Sequence, residues 1–428
     1  MDVLFLSHRI PFPPNKGEKI RAHAMVAHLA QHHTVHVGAF VDDPADLEHA
    51  DALKALAGGE CFLPPLNPGL VYPMGIAALM RGGPITTSYF GSAAMEAWID
   101  QLLAKRRIDC ALVFSSAMAP YMMHRRDFDP RKVVLDLVDV DSDKWRQYAQ
   151  VSIGPKRWLY AREADKLLEL ERAAAAHFAA TLLVSPYEAQ TFERLAPESA
   201  GSIHSVANGV DFSFFSSDHN FPNPFPKSEI PLVMTGAMDY RPNVDGAMWF
   251  AKSVMPLVSA RLPNARFYVV GSKPARALSE GGLRNTVVTG RVADVRPYIA
   301  HAAASVAPLR IARGVQNKVL EAMAQEKPVV ATTAASRALS AEPGRDFWLA
   351  DDPEAFADAV VSAAMGPERM RIAAAGRRFV ESNHDWTRNL ASLDALLETA
   401  AGKINKVASL QDGIEPTQSR TAPLAGAI

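Results

Sequence analysis

Asn317, Lys318 and Glu321, in the stretch GVQNKVLEAMAQEKPVVAT, place an amide, a cation and a carboxylate at helical spacing. At about 100° per residue they fall opposite an apolar stripe of Val315, Val319, Leu320 and Met323. Gly314 ahead of them permits close backbone approach, and the first N–H groups of a helix have no partner within it. Lys318 adds charge where an anion would sit, so the segment could capture a phosphate-bearing ligand. Taken alone, the segment favours the ordinary alternative, a solvated helix face.

Other clusters offer related chemistry. HRIPFPPNKGEKIR runs through Gly17 into a helix, with Lys16, Lys19 and Arg21 near its start. That arrangement suits phosphate, although a solvated basic turn explains it equally well. No G-x-G-x-x-G or Walker sequence occurs. DLVDVDSDKW carries Asp136, Asp139, Asp141 and Asp143 just past an expected strand. Paired carboxylates can hold a metal, take a proton or bind sugar hydroxyls. Ser142 and Asp143 could simply cap the next helix while Asp136 points away; Asp139 and Asp141 share a parity, hence a strand face. In VSPYEAQTF, Ser185, Pro186 and Glu188 form a complete capping motif that structure alone explains. NGVD is expected to be a tight turn with Gly209 at positive φ. In TGAMDYRPNVDG, Gly236 ends a strand and Arg241 lies within reach of a diphosphate. Lys273 in VVGSKP could act likewise, or be merely solvated. The histidines are scattered, and no His/Cys/Asp set has metal-ligand spacing.

The elements that must position these residues follow from periodicity. Short apolar runs, DVLFLS, TVHVGAF, CALVF, KVVLDLV, TLLVS and SIHSVA, form one series, and PLVMTG, RFYVVG, TVVTG, ASVAPL, PVVAT and DFWLA a second. Most are separated by helical stretches, the pattern of parallel sheets with crossover helices. NFPNPFPKSEIP, with Pro222, Pro224, Pro226 and Pro231, reads as a stiff linker between them. We expect two doubly wound α/β domains, residues 1–228 and 229–385, with ligands at the carboxyl ends of the strands in the cleft between. A helix over 386–401 is expected to bridge back to the first domain, and 402–428 to form a mobile tail.

A chain of 428 residues with 48% hydrophobic and 21% charged residues has a globular composition. Its formal charge of −1 gives no pull toward nucleic acid, so an anionic ligand must be met by local basic groups. Two cysteines are too few for a disulfide framework or zinc site, which fits a reducing cytoplasm. MDVLFLSHRIPFPP is too short in apolar residues for a signal-peptide core, and prolines interrupt the longest uncharged run. Two first-domain stretches, NPGLVYPMGIAALMRGGPITTSYF and KWRQYAQVSIGPKRWLYAR, are apolar or mix basic and aromatic residues as a peripheral membrane surface would. Both are equally readable as packed segments.

Together, PFPPNKGEKIR, DVDSDKW, NGVD and GVQNKVLEAMAQEKPVVAT resemble the retaining GT-B glycosyltransferases of family 4, and more closely the sugar transferases found with bacterial exosortase (PEP-CTERM) exopolysaccharide systems. The resemblance spans roughly residues 1 to 400. It implies a GT-B fold of two Rossmann-like domains and a nucleotide-diphosphate sugar as donor. The acceptor would be a saccharide or polyprenol-linked saccharide, with no metal or other cofactor required. Glu321 would accept from the donor's ribose hydroxyls, and the amides near Val315, Gln316 and Asn317 would cradle its diphosphate. Gly17, Gly236, Lys273 and Gly314 would line the donor site, and Lys318 and Arg241 would stabilise the leaving group. The family usually carries two glutamates eight residues apart here, and the earlier position is Arg313, a cation that could steady the diphosphate instead. Where many members place a strand-end histidine, this chain offers Asp139 or Asp141. The rival readings are a nucleotide-sugar 2-epimerase of the same fold and a catalytically silent nucleotide-sugar-binding module.

Overall fold

The computed structural model describes residues 1–14 and 17–403. Lys16 and all of the expected tail beyond Lys403 lie outside the described residues.

Two all-parallel sheets carry the molecule. The first contains β1 (Asp2–Ser7), β2 (Thr34–Ala39), β3 (Gly58–Phe62), β4 (Cys110–Phe114), β5 (Val133–Val138), β6 (Ala180–Leu183) and β7 (Ile203–Ser205), in the order β3-β2-β1-β4-β5-β6-β7. The second contains β8 (Ile230–Thr235), β9 (Ala265–Val270), β10 (Thr286–Gly290), β11 (Ala304–Ala307), β12 (Val329–Ala331) and β13 (Trp348–Leu349), in the order β10-β9-β8-β11-β12-β13. Strand order reverses between β1 and β4 in one sheet and between β8 and β11 in the other, the crevices where such sheets receive ligands. Every strand expected from the apolar runs is present. β3 was not expected: GGECF has two glycines and a carboxylate and no buried residue, so it carries no apolar signal.

The central strands are apolar on both faces because helices cover both; β4, CALVF, is buried throughout. The helices that matter for the cleft are α1 (Gly17–Leu29), α2 (Val71–Arg81), α3 (Asp141–Gln150), α4 (Gly154–His177), α5 (Pro186–Leu195), α6 (Arg241–Trp249), α7 (Asn317–Ala324) and α8 (Trp386–Ala400). α8 leaves the second domain and packs on the first. Leu390, Leu393, Leu396 and Leu397 join the core formed by β1, β2 and α1, and Asp394 meets His28 Nε2 at 2.7 Å. Asn208–Asp211 fixes where that helix starts. A Cβ on Gly209 would stand 2.6 Å from both the backbone nitrogen and Cγ of Trp386, so glycine is needed for close approach rather than for the positive φ expected of it.

Candidate active site

On the second-domain side, Gly236 and Gly271 follow β8 and β9. A Cβ on Gly236 (φ +148°) would stand 2.8 Å from Asn243 Nδ2 and 3.3 Å from Lys318 Nζ, and one on Gly271 would collide with the Gly236 carbonyl. Glycine at both positions lets two strand-end loops and two side chains share this space. Lys318 Nζ donates to Asn243 Oδ1 at 2.5 Å, while Asn243 Nδ2 donates to the Ala237 carbonyl at 2.9 Å. Gly314 (φ +59°) turns the chain toward α7. Val315 and Gln316, both half-buried, lead into the helix. Gln316 does not cap it, since its Nε2 donates back to the carbonyls of Arg313 and Gly314 at 2.8 and 3.4 Å. The opening amides of α7 therefore lack a side-chain acceptor, and Lys318 stands in the same turn, which suits a diphosphate.

Asn317, Lys318 and Glu321 are half-buried rather than exposed, so this helix face is not a solvated surface. It looks across the cleft: Asn208 Nδ2 donates to Asn317 Oδ1 at 3.2 Å. Burial pushes the Glu321 carboxyl up to about 7, partly offset by Lys318, and pushes the Lys318 ammonium down to about 8, partly offset by Glu321.

The first-domain wall differs from expectation in its details. β5 ends at Val138, whose φ is +67°, so Asp139 and Asp141 lie beyond the strand and their shared parity does not define a face. Asp139 confronts Gly314, where a Cβ would fall on its carboxylate. Burial raises its pKa to about 6, and Oδ1 has no hydrogen-bond partner among the described residues. Asp141 opens α3 and ion-pairs with Lys144. Ser142 is no cap: its amide and hydroxyl donate to Glu171, at 3.1 and 2.5 Å, a carboxyl that burial raises to about 8. Nor does Asp136 point away, since it is fully buried against Arg21.

Arg313 joins the two walls. Its guanidinium pairs with Asp143 and, at 3.2 Å, with Glu188 of α5. Glu188 is almost fully buried and accepts from the Val140 amide at 3.1 Å and from the Gly314 amide. Burial and the neighbouring Asp139 raise it to about 7. The cation at the position where the resemblance implies a glutamate is thus engaged with first-domain carboxylates. The capping motif also does more than start a helix. Ser185 accepts from the Glu188 amide at 3.2 Å, but the Glu188 side chain reaches into the cleft.

The other expected residues divide. Arg241, the exposed first residue of α6, lies over the Tyr148 ring of α3, 5.2 Å from its centroid. Lys273 (φ +53°) also crosses the cleft, 3.7 Å from Asp43. Gly17 begins α1 in open space, with no neighbour that a Cβ would touch. Lys19 and Arg21 are not available to phosphate: Lys19 is buried against Asp46, and Arg21 binds Asp136 at 2.8 Å, the Val206 carbonyl at 2.7 Å and Asn208 Oδ1 at 3.0 Å. They are helix-core cations balanced by buried acceptors.

Sequence reasoning passed over Asn243, Glu188 and His8. His8 follows β1, stacks on Phe114 with ring centroids 5.9 Å apart, and has a pKa lowered chiefly by burial. Its position immediately after an apolar strand was the available signal. Asn243 and Glu188 gave none, because each sits in a stretch that local helix chemistry explains. Among the described residues no group of three His, Cys, Asp or Glu side chains is placed to hold a metal.

Residues 229–365 match the sequence profile of the glycosyl transferases group 1. No curated protein matches the chain by sequence. Solved structures share its architecture over 92–93% of its length. Sucrose-phosphate synthase from Thermosynechococcus elongatus is 16% identical with a TM-score of 0.67, covered over 98% of its own chain. Anabaena HepE in complex with UDP-glucose is 14% identical with a TM-score of 0.65, covered in full. WaaG, a glycosyltransferase involved in lipopolysaccharide biosynthesis, is 17% identical with a TM-score of 0.64, over 92% of this chain and 99% of its own. The two facing Rossmann-like domains define a GT-B fold. Its second half carries a glycosyl transferases group 1 domain.

Proposed function

We propose that the protein transfers a sugar from a nucleotide-diphosphate donor to a saccharide or lipid-linked saccharide, retaining the anomeric configuration, in exopolysaccharide or cell-surface glycan synthesis on the cytoplasmic face of a membrane. The observation that carries this reading is the convergence of Lys318, Asn243, Gly236 and the uncapped start of α7, with Glu321 one turn along the same face. A diphosphate would lie on the amides and Lys318, and the ribose hydroxyls would donate to Glu321. HepE, similar over the whole fold, is seen with UDP-glucose.

In the reaction an acceptor hydroxyl oxygen bonds to the anomeric carbon on the face from which the diphosphate departs. The bond from that carbon to the phosphate oxygen breaks, its electron pair leaves with the nucleoside diphosphate, and the hydroxyl proton passes to the departing oxygen. Lys318, Arg241 and the α7 amides would stabilise the charge that develops there without a divalent metal. Asp139, with an unpartnered oxygen beside Gly314, is positioned to hold a donor-sugar hydroxyl, and Asp141 remains a candidate for the acceptor side. The engagement of Arg313 with first-domain carboxylates favours, as a second reading, a module that binds the nucleotide sugar without transferring it.

Melting-temperature shifts with UDP, GDP, ADP and CMP sugars, followed by titration of the best ligand, test the donor assignment. One base class should stabilise the protein. Glu321→Ala should weaken its binding by about tenfold or more while leaving the unliganded melting temperature nearly unchanged, because the carboxylate lies off the apolar stripe. Unchanged affinity would remove Glu321 from the site. Transfer should survive EDTA; activity abolished by chelation and restored by Mg²⁺ would point to a metal-dependent mechanism.

A further inference from the structure

Apolar side chains on the surface are concentrated rather than scattered. Of the fifteen exposed large hydrophobic residues among the described residues, eight belong to α2 and its approach or to the corner between α3 and α4. Tyr72, Ile76 and Met80 on α2 are 83%, 59% and 85% exposed, and Val151, Ile153 and Trp158 at the corner are 57%, 89% and 63% exposed. Single exposed apolar residues are normal, whereas a group of this size marks a contact surface.

The two stretches form one surface. Arg162 of α4 donates to the Gly83 carbonyl, just past α2, at 3.1 Å, and Glu163 accepts from the Ile85 and Thr86 amides at 2.8 Å. Trp158 lies four residues before Arg162, about 6 Å along α4, and Met80 only three residues before Gly83, so both stand close to the contact. The exposed charges that flank these apolar side chains are basic. Residues 61–95 contain no Asp or Glu, and Arg81, Lys156 and Arg157 are exposed and make no ion pair among the described residues. The neighbouring aromatics Trp145, Tyr148 and Tyr160 are not part of it, because they pack on one another at the cleft. No described helix is long and apolar enough to cross a membrane.

We propose that α2 and the α3–α4 corner dock on the surface of an anionic lipid bilayer, with Tyr72, Met80, Ile153 and Trp158 entering the interface and Arg81, Lys156 and Arg157 meeting headgroups. The proposal rests on the lipid-linked acceptor suggested above, and the structure relates the two places. Tyr148, which faces Arg241 across the cleft, is one turn from Val151, so a docked molecule holds its cleft mouth next to the lipid.

Flotation of the full chain with vesicles of phosphatidylcholine, alone and mixed with phosphatidylglycerol, tests this without using a donor, so its result is independent of the transferase reading. The wild type should float with the anionic vesicles and be released by salt. Lys156→Glu/Arg157→Glu and Tyr72→Ser/Met80→Ser should each reduce the bound fraction by about tenfold, while Met365→Ser/Met370→Ser, on the second domain, should not. Melting temperatures establish that the variants are folded. A wild type that stays soluble at low salt with every lipid, or patch variants that float like the wild type, would overturn the proposal. So would a dimer in light scattering that Tyr72→Ser/Met80→Ser dissociates, since the patch would then be covered by a second copy.

Discussion

Glu321 and Lys318 share a half-buried helix face, and burial moves them in opposite directions, the carboxyl up to about 7 and the ammonium down to about 8. A nucleotide needs both charged, one to accept from ribose hydroxyls and one to face phosphate. Affinity should therefore fall below about pH 7 as Glu321 takes a proton, and above about pH 8 as Lys318 loses one, leaving a narrow optimum. In the unliganded protein the sign for stability is the reverse of a helpful ion pair. A carboxyl whose folded pKa is raised binds more protons folded than unfolded between about pH 4.5 and 7, so stability declines across that window and stays lowered above it. Glu321→Gln should abolish the acid limb of the affinity profile and melt no lower than wild type at pH 8. Titration calorimetry from pH 5.5 to 9 checks this, and an acid limb that persists in Glu321→Gln would assign it to another group. The sequence showed these residues as a polar helix face. That the face is half-buried depends on the opposing domain, which no local pattern reveals.

The segment from Arg313 to Gln316 shows what an element adds to its residues. It carries the approach to α7 and at the same time fastens the second domain to α3 and α5 through Asp143 and Glu188. Removing one member of a buried ion pair costs about 3–5 kcal/mol. Introducing a glutamate with Arg313→Glu would place a further carboxylate beside Asp139, Asp143 and Glu188, so we expect a loss of about 3 kcal/mol or more and no gain in nucleotide affinity. Adding Glu188→Gln should recover part of that loss. Chemical denaturation of the single and double variants measures the coupling; a stable Arg313→Glu protein that binds nucleotide more tightly would show the arginine to be an incidental replacement. Elements with strong period were legible: twelve of the thirteen strands among the described residues follow from apolar runs, and β3 was missed because its side chains are not buried. The acidic run was legible as a cluster of carboxylates past a strand but not in its geometry, because a turn at Val138 breaks the alternation on which a shared face depends. Lys19 and Arg21 were misread for a related reason, since basic residues near a helix start look alike whether they face solvent or buried carboxylates.

At the scale of the molecule, two sheets bring their switch points to one cleft, and α8 returns to the first domain to fix the arrangement. Contacts among the described residues already cross the cleft, among them Arg313 to Asp143 and Glu188, Asn317 to Asn208, Arg241 to Tyr148, and Lys273 to Asp43. Each of these begins on a second-domain residue for which the family resemblance implies a place in the donor site. The central claim is that a nucleoside diphosphate binds among them on the start of α7. The most direct measurement is a crystal structure with the nucleotide that most raises the melting temperature. The account expects its diphosphate oxygens within hydrogen-bonding distance of Lys318 Nζ and the amides of Val315 to Asn317, with both ribose hydroxyls on Glu321. A nucleotide seated away from α7, or one whose ribose leaves Glu321 untouched, would contradict it.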